Sequence, residues 1–204
     1  MAGVLGQLGS FHFASLPAAP GRGRREPPGH PVRYIFCMEL SLTAFEPGHA
    51  ATVLGWVQTS AEAAAWAGLD GVPAEGGLFR AWHAEPWSHP YVALRGGAPV
   101  AYGEVWDDDG EAELARLIVD PAARGQGVGR RLAVLLAGQA RAMGYSAVWL
   151  RVLPENAAAL AAYRAAGFLP ASPAQEREFN AGQPQPYRWL LGRAAEEPGT
   201  EPGS

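Results

Sequence analysis

The sequence contains no lysine, so all 16 of its basic residues are arginine. The acidic residues number 20, which leaves a net charge of −4 and a pI near 5.7. With 26 glycines and 18 prolines in the same chain, the arginines indicate a compositional bias rather than a functional basic patch. We therefore do not expect a nucleic-acid partner, because nucleic-acid binding requires clustered positive charge.

Cysteine, metal-like histidine pairs and long apolar runs are also lacking. The single cysteine, Cys37, excludes an internal disulfide and gives no sign of an oxidising compartment. His49, His83 and His89 share no ligand spacing with one another or with a carboxylate on one helix, so we expect no metal. No apolar run reaches about 18 residues, which excludes a membrane-spanning helix. These absences favour a cytoplasmic domain.

The two ends of the chain differ in composition from its middle. Residues 1–37 contain five prolines and an arginine-rich cluster at 21–25 that no core would bury, which predicts a disordered extension. An organelle transit peptide and an unused start before Met38 are alternatives. Residues 194–204 predict a disordered acidic tail. One domain is expected over residues 38–193.

The most informative stretch is the glycine turn, which we define as Arg124–Arg130. A strand-like run ends at Asp120-Pro121 before it, and helical spacing of apolar residues begins at Val128. Gly125, Gly127 and Gly129 remove β-carbons that would hinder a ligand, and the first turn of a helix leaves amide groups unpaired. The turn therefore predicts a phosphate site, assisted by its two arginines.

Two better-known phosphate loops are excluded by spacing. A P-loop requires lysine followed by serine or threonine, and Arg130-Arg131 follows here. A dinucleotide fingerprint requires a third glycine, but that position falls on Arg130 or Leu132, and no acidic residue follows about 20 residues later. The turn alone leaves open a flexible connection without a ligand.

A second motif, Asn156–Phe168, makes a specific family resemblance. It has the form Asn-x-x-Ala-x-x-x-Tyr-x-x-x-Gly-Phe and follows the glycine turn after one predicted helix and one predicted strand. An Arg-x-x-Gly-x-Gly turn followed by this motif resembles the GNAT superfamily of acetyl-CoA-dependent N-acyltransferases. The match is sharpest over 113–168. The resemblance implies acetyl-CoA as the acyl donor and either a monomer or a homodimer.

The order of elements predicts an α/β (α+β) fold with a mixed sheet. Antiparallel N-terminal hairpin strands precede a strand-helix-strand-helix-strand series. The resemblance implies that the cofactor lies where the sheet splays after its central strand. The predicted strands cover 38–45, 91–95, 99–106, 111–119, 146–153, 168–169 and 187–191. Predicted helices lie within 47–57, from Ser60 through Gly68, after the glycine turn, and between Asn156 and Gly167; residues 69–90 are predicted to be irregular.

The resemblance also assigns cofactor contacts. Main-chain groups of Ile118 and Val119 would pair with the pantetheine arm. Asn156 would contact the same arm, although a plain helix cap is an alternative. The pyrophosphate would lie on Arg124, Gly125, Gln126, Gly127, Val128, Gly129 and Arg130.

Three residues are candidates for proton transfer. Tyr163 matches the tyrosine that family members place near the cofactor sulfur, where a phenol with a pKa near 10 can protonate a thiolate with a pKa near 8.5. A core aromatic is the alternative. The acceptor amine, with a pKa near 10.4, must lose a proton before it attacks directly. Glu113 is the first candidate base and Glu104 the second, with water or a partner role for Arg116 as alternatives.

The acceptor is less well defined by the sequence. Five of the seven tryptophans lie in the half expected to shape its pocket, near the Asp107–Asp109 run. Aromatic faces with carboxylates suit a cationic amine, and they equally suit a core and a polar turn. We favour a small cationic amine over a protein N-terminus or lysine. A non-catalytic acyl-CoA-binding sensor is the alternative function, which the retained Tyr163 disfavours. The five tryptophans in the half expected to shape the acceptor pocket are Trp56, Trp66, Trp82, Trp87 and Trp106.

Overall fold

The computed structural model describes residues 39–73 and 77–192. The expected extension over 1–37 and the expected tail over 194–204 lie outside the described residues. The strands are β1 (Leu40–Ala44), β2 (Ser88–Arg95), β3 (Ala98–Asp108), β4 (Glu111–Val119), β5 (Val148–Val152), β6 (Phe168–Pro170) and β7 (Arg188–Gly192). The α-helices are α1 (Ala50–Leu54), α2 (Ser60–Ala67), α3 (Gly77–Trp82), α4 (Val128–Ala142), α5 (Ala157–Ala165) and α6 (Pro173–Phe179). Within these ranges no helix is both long enough and apolar enough to cross a membrane.

All seven strands form one sheet in the order β1-β2-β3-β4-β5-β7-β6. Neighbouring strands are antiparallel except for β4 and β5, which are parallel and joined through α4. A parallel pair needs such a crossover, whereas the antiparallel β2–β3 pair is joined by the tight Gly96-Gly97 turn. The predicted mixed α/β class is confirmed.

The sheet buries both of its faces. Alternate side chains of a strand point to opposite faces, so Ala101 and Val105 of β3 pack on the α4 side and Tyr102 packs on the α1–α3 side. On α4, Leu132 and Leu136 recur at helical spacing and are fully buried. Burial of each leucine contributes roughly 1.5–3 kcal/mol, which fixes α4 and the turn before it against the sheet.

Strand β4 contains a bulge at Arg116 and Leu117. Both residues stand opposite the single residue Gly103 of β3. Arg116 adopts a left-handed backbone conformation with φ +51°, which is uncommon for a residue with a side chain. A Cβ at Gly103 would lie 2.7 Å from Leu136 Cδ1 and 3.1 Å from Leu117 Cγ, so any larger residue would require these leucine side chains to shift. The bulge reorients the end of β4 that leads to the glycine turn.

Strands β4 and β5 separate just before the bulge. Their pairing ends at Leu114 and Leu150, although β5 continues to Val152 and β4 to Val119. The sheet is therefore open between the ends of its two central strands. This is the splay that the family resemblance implies.

Several predicted boundaries differ from the structure. The interval 69–90 was predicted to be irregular, which is wrong because α3 and the start of β2 lie there. The helix expected within 47–57 is reduced to a 3₁₀ turn and the five-residue α1. Helix α6 was missed, although Ser172 and Gln175 form a capping box with Pro173 at the first helical position. The short helices bury too few residues to show a clear period.

Candidate active site

The glycine turn forms an open nest of backbone amides before α4. Gly125 and Gly127 have φ values of +72° and +77°, and a Cβ built on either meets no atom within 4 Å. The first helical amide to be paired is that of Arg131, which donates to Gly127 O. In the part of the chain that the structure describes, the amides of 125–130 donate to no acceptor. Unpaired amides at the positive end of a helix dipole fit a phosphate group.

The Arg124 side chain points away from this nest. Its NH1 donates to Glu62 Oε1 at 2.6 Å, its Nε to Val119 O at 3.2 Å and its NH2 to Trp56 O at 3.3 Å. A hydrogen bond from the backbone of Gln58 and the contact with Arg124 lower the pKa of Glu62. The Arg124 side chain, predicted to bind phosphate, instead connects β4 to the N-terminal helices. Only the main chain of Arg124 borders the nest.

The other side chains of the turn differ in exposure. Gln126 accepts a hydrogen bond from Arg95 NH1 at 2.8 Å, which links the turn to β2. Val128 is buried in the core beneath the nest. Gly129 lies close to the sheet and to α5, and Arg130 is exposed and available to an anion at the nest.

The main chain of Val119 faces the splay. The Asp120 amide donates to Val100 O on β3 at 2.9 Å. Because hydrogen-bonding direction alternates along an antiparallel pair, the Val119 amide and carbonyl point to the opposite, open side. Ile118, opposite Tyr102, directs its main-chain groups to β3 and its side chain into the α1–α3 core. The geometry therefore favours Val119 over Ile118 as a main-chain contact.

We call the cavity between the ends of β4 and β5 the splay cleft. Its volume is about 230 Å³, and it is bounded by the end of α2, by β4 from Glu113 to Leu117, and by α5. The cleft brings together Glu113, Asn156 and Tyr163, which are far apart in the sequence. Asn156 caps α5, since its Oδ1 accepts from the Ala159 amide at 3.1 Å. The expected cap and a cleft-facing position are therefore both present at Asn156.

Tyr163 lies on α5 with its ring near Phe168. Burial raises the pKa of its phenol to about 12. Among the described residues, the hydroxyl group has no hydrogen-bond partner. A protonated, unengaged phenol in this cleft can donate to a ligand.

Glu113 lies on β4 with only 5% of its surface exposed. Burial raises its pKa to about 7, while the Arg151 cation opposes the rise and Asp108 adds to it. Arg151 Nε lies 3.1 Å from Glu113 Oε1. A carboxyl that titrates near neutrality is suited to accept a proton.

A second cavity, here called the outer cavity, adjoins the splay cleft. It has a volume of about 180 Å³ and aromatic walls from Trp149, Phe179 and Trp189. Glu113 and Arg151 line both cavities, and Asp108 and Glu111 add acidic groups to the outer one. Within the described ranges no set of His, Cys, Asp or Glu side chains is placed to hold a metal ion. Glu113 can thus meet molecules in either cavity.

Glu104 occupies a different setting from Glu113. It is fully buried on β3 and does not line the splay cleft. Its carboxylate accepts hydrogen bonds from Ser88 Oγ (3.0 Å), Trp106 Nε1 (2.6 Å), Arg116 NH1 (2.9 Å) and the Tyr102 hydroxyl. These donors satisfy its lone pairs and leave it poorly placed to take a proton from a ligand.

Two of the five tryptophans expected near a cationic acceptor, Trp82 and Trp106, instead contact Arg116 of the same chain. The Arg116 Cζ atom lies 3.8 Å from the Trp82 ring centre and 4.7 Å from that of Trp106. Trp56 and Trp66 are buried in the core, and Trp87 is 37% exposed. The pairing of Arg116 with Glu104 was one of the expected alternatives. The role of Arg151 was missed, although an arginine within an apolar strand is a readable signal of a buried ion pair.

The chain matches the model of the acetyltransferase (GNAT) family over residues 53–168. An IAA acetyltransferase of Azospirillum brasilense is 39% identical over 84 residues, which cover 40% of this chain and 55% of that protein. The [ribosomal protein bS18]-alanine N-acetyltransferase of Escherichia coli K12 is 35% identical over 100 residues, covering 42% of this chain and 66% of that protein. The chain thus spans between half and two thirds of these curated relatives.

Solved structures share the fold at low identity. The aminoglycoside acetyltransferase AAC(6')-Ib in complex with coenzyme A and kanamycin has a TM-score of 0.58 and 16% identity, covering 76% of this chain and 95% of that one. The spermidine N-acetyltransferase of Vibrio cholerae in complex with CoA and spermine has a TM-score of 0.56 and 18% identity, covering 65% and 82%.

Proposed function

Because this chain belongs to the GNAT acetyltransferase family, we propose that it transfers an acetyl group from acetyl-CoA to a primary amine. The observation that carries the proposal is the placement of Glu113 and Tyr163 in one cleft, with opposite proton-transfer capacities. Glu113, with a pKa of about 7, can accept a proton at neutral pH, and Tyr163, with a pKa of about 12, retains its own. The cleft opens at the splay that precedes the glycine turn.

The residues present fit acetyl-CoA as the acyl donor. The unpaired amides of 125–130 and the exposed Arg130 suit the pyrophosphate. The Val119 amide, on the open side, suits an extended arm that adds to β4 as a strand would, while the Val119 carbonyl accepts from Arg124 Nε. Asn156 and Tyr163 both line the cleft in which the thioester would lie.

Glu113 is the preferred base in this proposal. An alkylammonium has a pKa near 10.4 and must transfer a proton to Glu113, directly or through water, before its nitrogen can attack. The nitrogen then forms a bond to the acetyl carbon, and as the carbon–sulfur bond breaks Tyr163 donates its proton to the leaving sulfur. The second proton of the nitrogen returns to the Tyr163 phenolate, directly or through water, and Glu113 releases its proton to solvent. The burial that raises the pKa of Tyr163 also raises that of a thiolate in the same cleft, which keeps the two groups matched.

Replacement of Tyr163 by phenylalanine is expected to lower kcat by about 100-fold, because the sulfur then leaves without a proton donor. The affinity for acetyl-CoA should stay nearly unchanged, since the ring remains. Steady-state kinetics and calorimetry measure the two effects. Tyr91→Phe is the matched control, because its hydroxyl contacts Met143 outside both cavities. Undiminished turnover in Tyr163→Phe would remove the acid assignment.

The outer cavity supports a small cationic amine as the acceptor. If the splay cleft holds the acyl thioester, the outer cavity is a second space from which an amine can reach Glu113. Asp108 and Glu111 provide negative charge there, and its aromatic walls suit a cation. A protein N-terminus and a lysine side chain remain the other acceptors to compare; the E. coli relative is named for an alanine of ribosomal protein bS18.

The variant Asp108→Asn tests the charge of this site. It is expected to raise KM about fivefold for a diamine acceptor, since an exposed charge pair at close range contributes about 1 kcal/mol. The effect should shrink at high ionic strength because exposed charges are screened. Asp70→Asn, an exposed residue outside both cavities, is the control. Equal KM values for the two variants would contradict an acceptor bound near Asp108.

The proposed reaction is tested by titrating the protein with acetyl-CoA in a calorimeter and then measuring thiol release. The amines to compare are a diamine, an aminoglycoside, a peptide with a free N-terminus and an N-terminally blocked lysine peptide. Binding with thiol release for one class establishes the reaction and its acceptor. Binding without release for all of them favours the alternative of a non-catalytic acyl-CoA sensor. Absence of binding would overturn the function proposed for the glycine turn.

A further inference from the structure

The strained backbone of Arg116 requires an explanation beyond the proposed reaction. A positive φ at a residue with a long side chain costs free energy and persists only where the surroundings hold it. Arg116 lies at the bulge of β4. The pairing between β4 and β5 ends at Leu114, just before this bulge. The strain is therefore located at the hinge between the paired and the splayed parts of the strand.

Side chains from three other elements hold Arg116 in this conformation. Trp66 of α2 donates from Nε1 to the Arg116 carbonyl at 2.7 Å. The guanidinium lies between the rings of Trp82, from α3, and Trp106, from β3, and donates to Glu104 at 2.9 Å. We call these five residues the bulge clamp.

The clamp is unusually well satisfied for a buried ion pair. Only 15% of the Arg116 side chain and none of Glu104 is exposed, and the remaining lone pairs of Glu104 accept from Ser88, Tyr102 and Trp106. Buried ion pairs contribute little to stability compared with apolar replacements, but they can specify one conformation. The network joins Arg116 of β4 to α2, α3 and β3 through directional contacts.

We propose that the bulge clamp holds the end of β4 in the path that keeps the splay cleft open and directs the Val119 main chain into it. Arg116 and Glu104 are then positioning residues for the acyl donor. Glu104 does not line the cleft, whereas Arg116 lies in its wall at the bulge. Both residues act on the donor through the backbone between Ala115 and Val119. The proposal rests on the proposed function, because the donor is taken to be acetyl-CoA.

Two variants weaken the clamp without leaving a buried charge unpaired. Arg116→Lys keeps the charge that Glu104 needs but loses the planar group between the two rings. Trp82→Leu removes one ring and leaves the ion pair in place. Trp87→Leu is the matched control, because Trp87 packs against Trp106 without contacting Arg116 and is partly exposed.

We expect the clamp variants to change KM for acetyl-CoA and to leave kcat nearly unchanged. Both clamp variants should raise the Kd and KM for acetyl-CoA about tenfold, which lies within the range for mutations that act through packed neighbours. At saturating donor, kcat and its pH dependence should stay close to those of the unmodified protein, because Glu113 lies in the paired part of β4. The amides of 118 and 120, which face β3, should exchange hydrogen faster. The control should show none of these changes.

The outcomes separate this proposal from the reaction itself. Unchanged acetyl-CoA affinity in Arg116→Lys and Trp82→Leu, with only a lower Tm, would make the clamp purely structural and leave the proposed reaction intact. Donor binding that weakens in both variants, in a protein that acetylates none of the amines, would support the clamp while the reaction fails. If the unmodified protein binds no acetyl-CoA, both proposals are overturned. Should Arg116→Lys fail to fold, Trp82→Leu gives the same readout.

Discussion

Replacement of Glu113 by glutamine is expected to lower kcat/KM by about 100- to 10,000-fold at neutral pH, the range typical for loss of a general base. In the unmodified protein, kcat/KM should rise as the pH passes through about 7, because Glu113 must be deprotonated to accept the amine's proton. Glutamine has the same shape and cannot titrate, so this rise should disappear. The pH dependence of thiol release with a fixed amine measures both effects.

The same measurement on Arg151→Gln tests whether Glu113 causes the rise of kcat/KM with pH, which we call the limb of the pH profile. The Arg151 cation lowers the pKa of Glu113, so its removal should move the limb to a pH above 7. Glu111→Gln is the matched control, because Glu111 is exposed in the same cavity and bonded to Trp149. If the rise of kcat/KM with pH persists in Glu113→Gln, the general base is water or Glu104. The variant Glu104→Gln would then distinguish these two.

A loss of folding cannot imitate the expected effect of Glu113→Gln. The folded-state pKa of Glu113 lies above its ordinary value of 4.5, so the protonated form is favoured in the folded protein. The cost of ionising Glu113 is absent below pH 4.5, grows as the pH rises and is complete above about 7. At pH 8 the glutamine variant lacks this cost. Its Tm should therefore be no lower than that of the unmodified protein, while its activity is lost.

The sequence was sufficient to predict the parts of the fold that depend on local signals. The glycine turn, the Asn156 cap and the Gly167 helix end each rest on backbone chemistry within a few residues, and the structure has all of them in place. Helix α3 was not predicted because its six residues bury one large side chain, Phe79, and show no period. Its packing against the sheet decides its conformation, and propensity does not.

The candidate site was predictable only in part, for a similar reason. The position of Glu113 on a strand before the turn was readable, but its pKa depends on Arg151 from another strand and on Asp108 from a hairpin. The sequence likewise ranked Glu104 as a second base. Two of its hydrogen-bond donors, Ser88 of β2 and Arg116 of β4, reach it only through strand pairing, which the sequence does not show. Contacts that depend on strand register cannot be predicted from a local sequence motif.

Introduction of an aspartate at Gly127 is expected to abolish acetyl-CoA binding, with a loss in affinity of 100-fold or more. Gly127 is the N-cap of α4, has φ +77° and has open space where its side chain would be. A carboxylate there would occupy the nest and compete for its amides. At about 4 Å from a pyrophosphate charge, an effective dielectric of about 20 gives a repulsion of roughly 4 kcal/mol. Calorimetric titration with acetyl-CoA measures the loss.

Two controls separate repulsion from backbone strain. Gly127→Asn has nearly the same size as the aspartate variant and tolerates a left-handed conformation, so it should retain more of the affinity. Gly144→Asp places the same charge at another positive-φ glycine, at the opposite end of α4, where it should leave acetyl-CoA binding unchanged. If Gly127→Asp binds acetyl-CoA as the unmodified protein does, the amides of the glycine turn do not hold the pyrophosphate. The donor must then enter the splay cleft by a path that does not pass the start of α4.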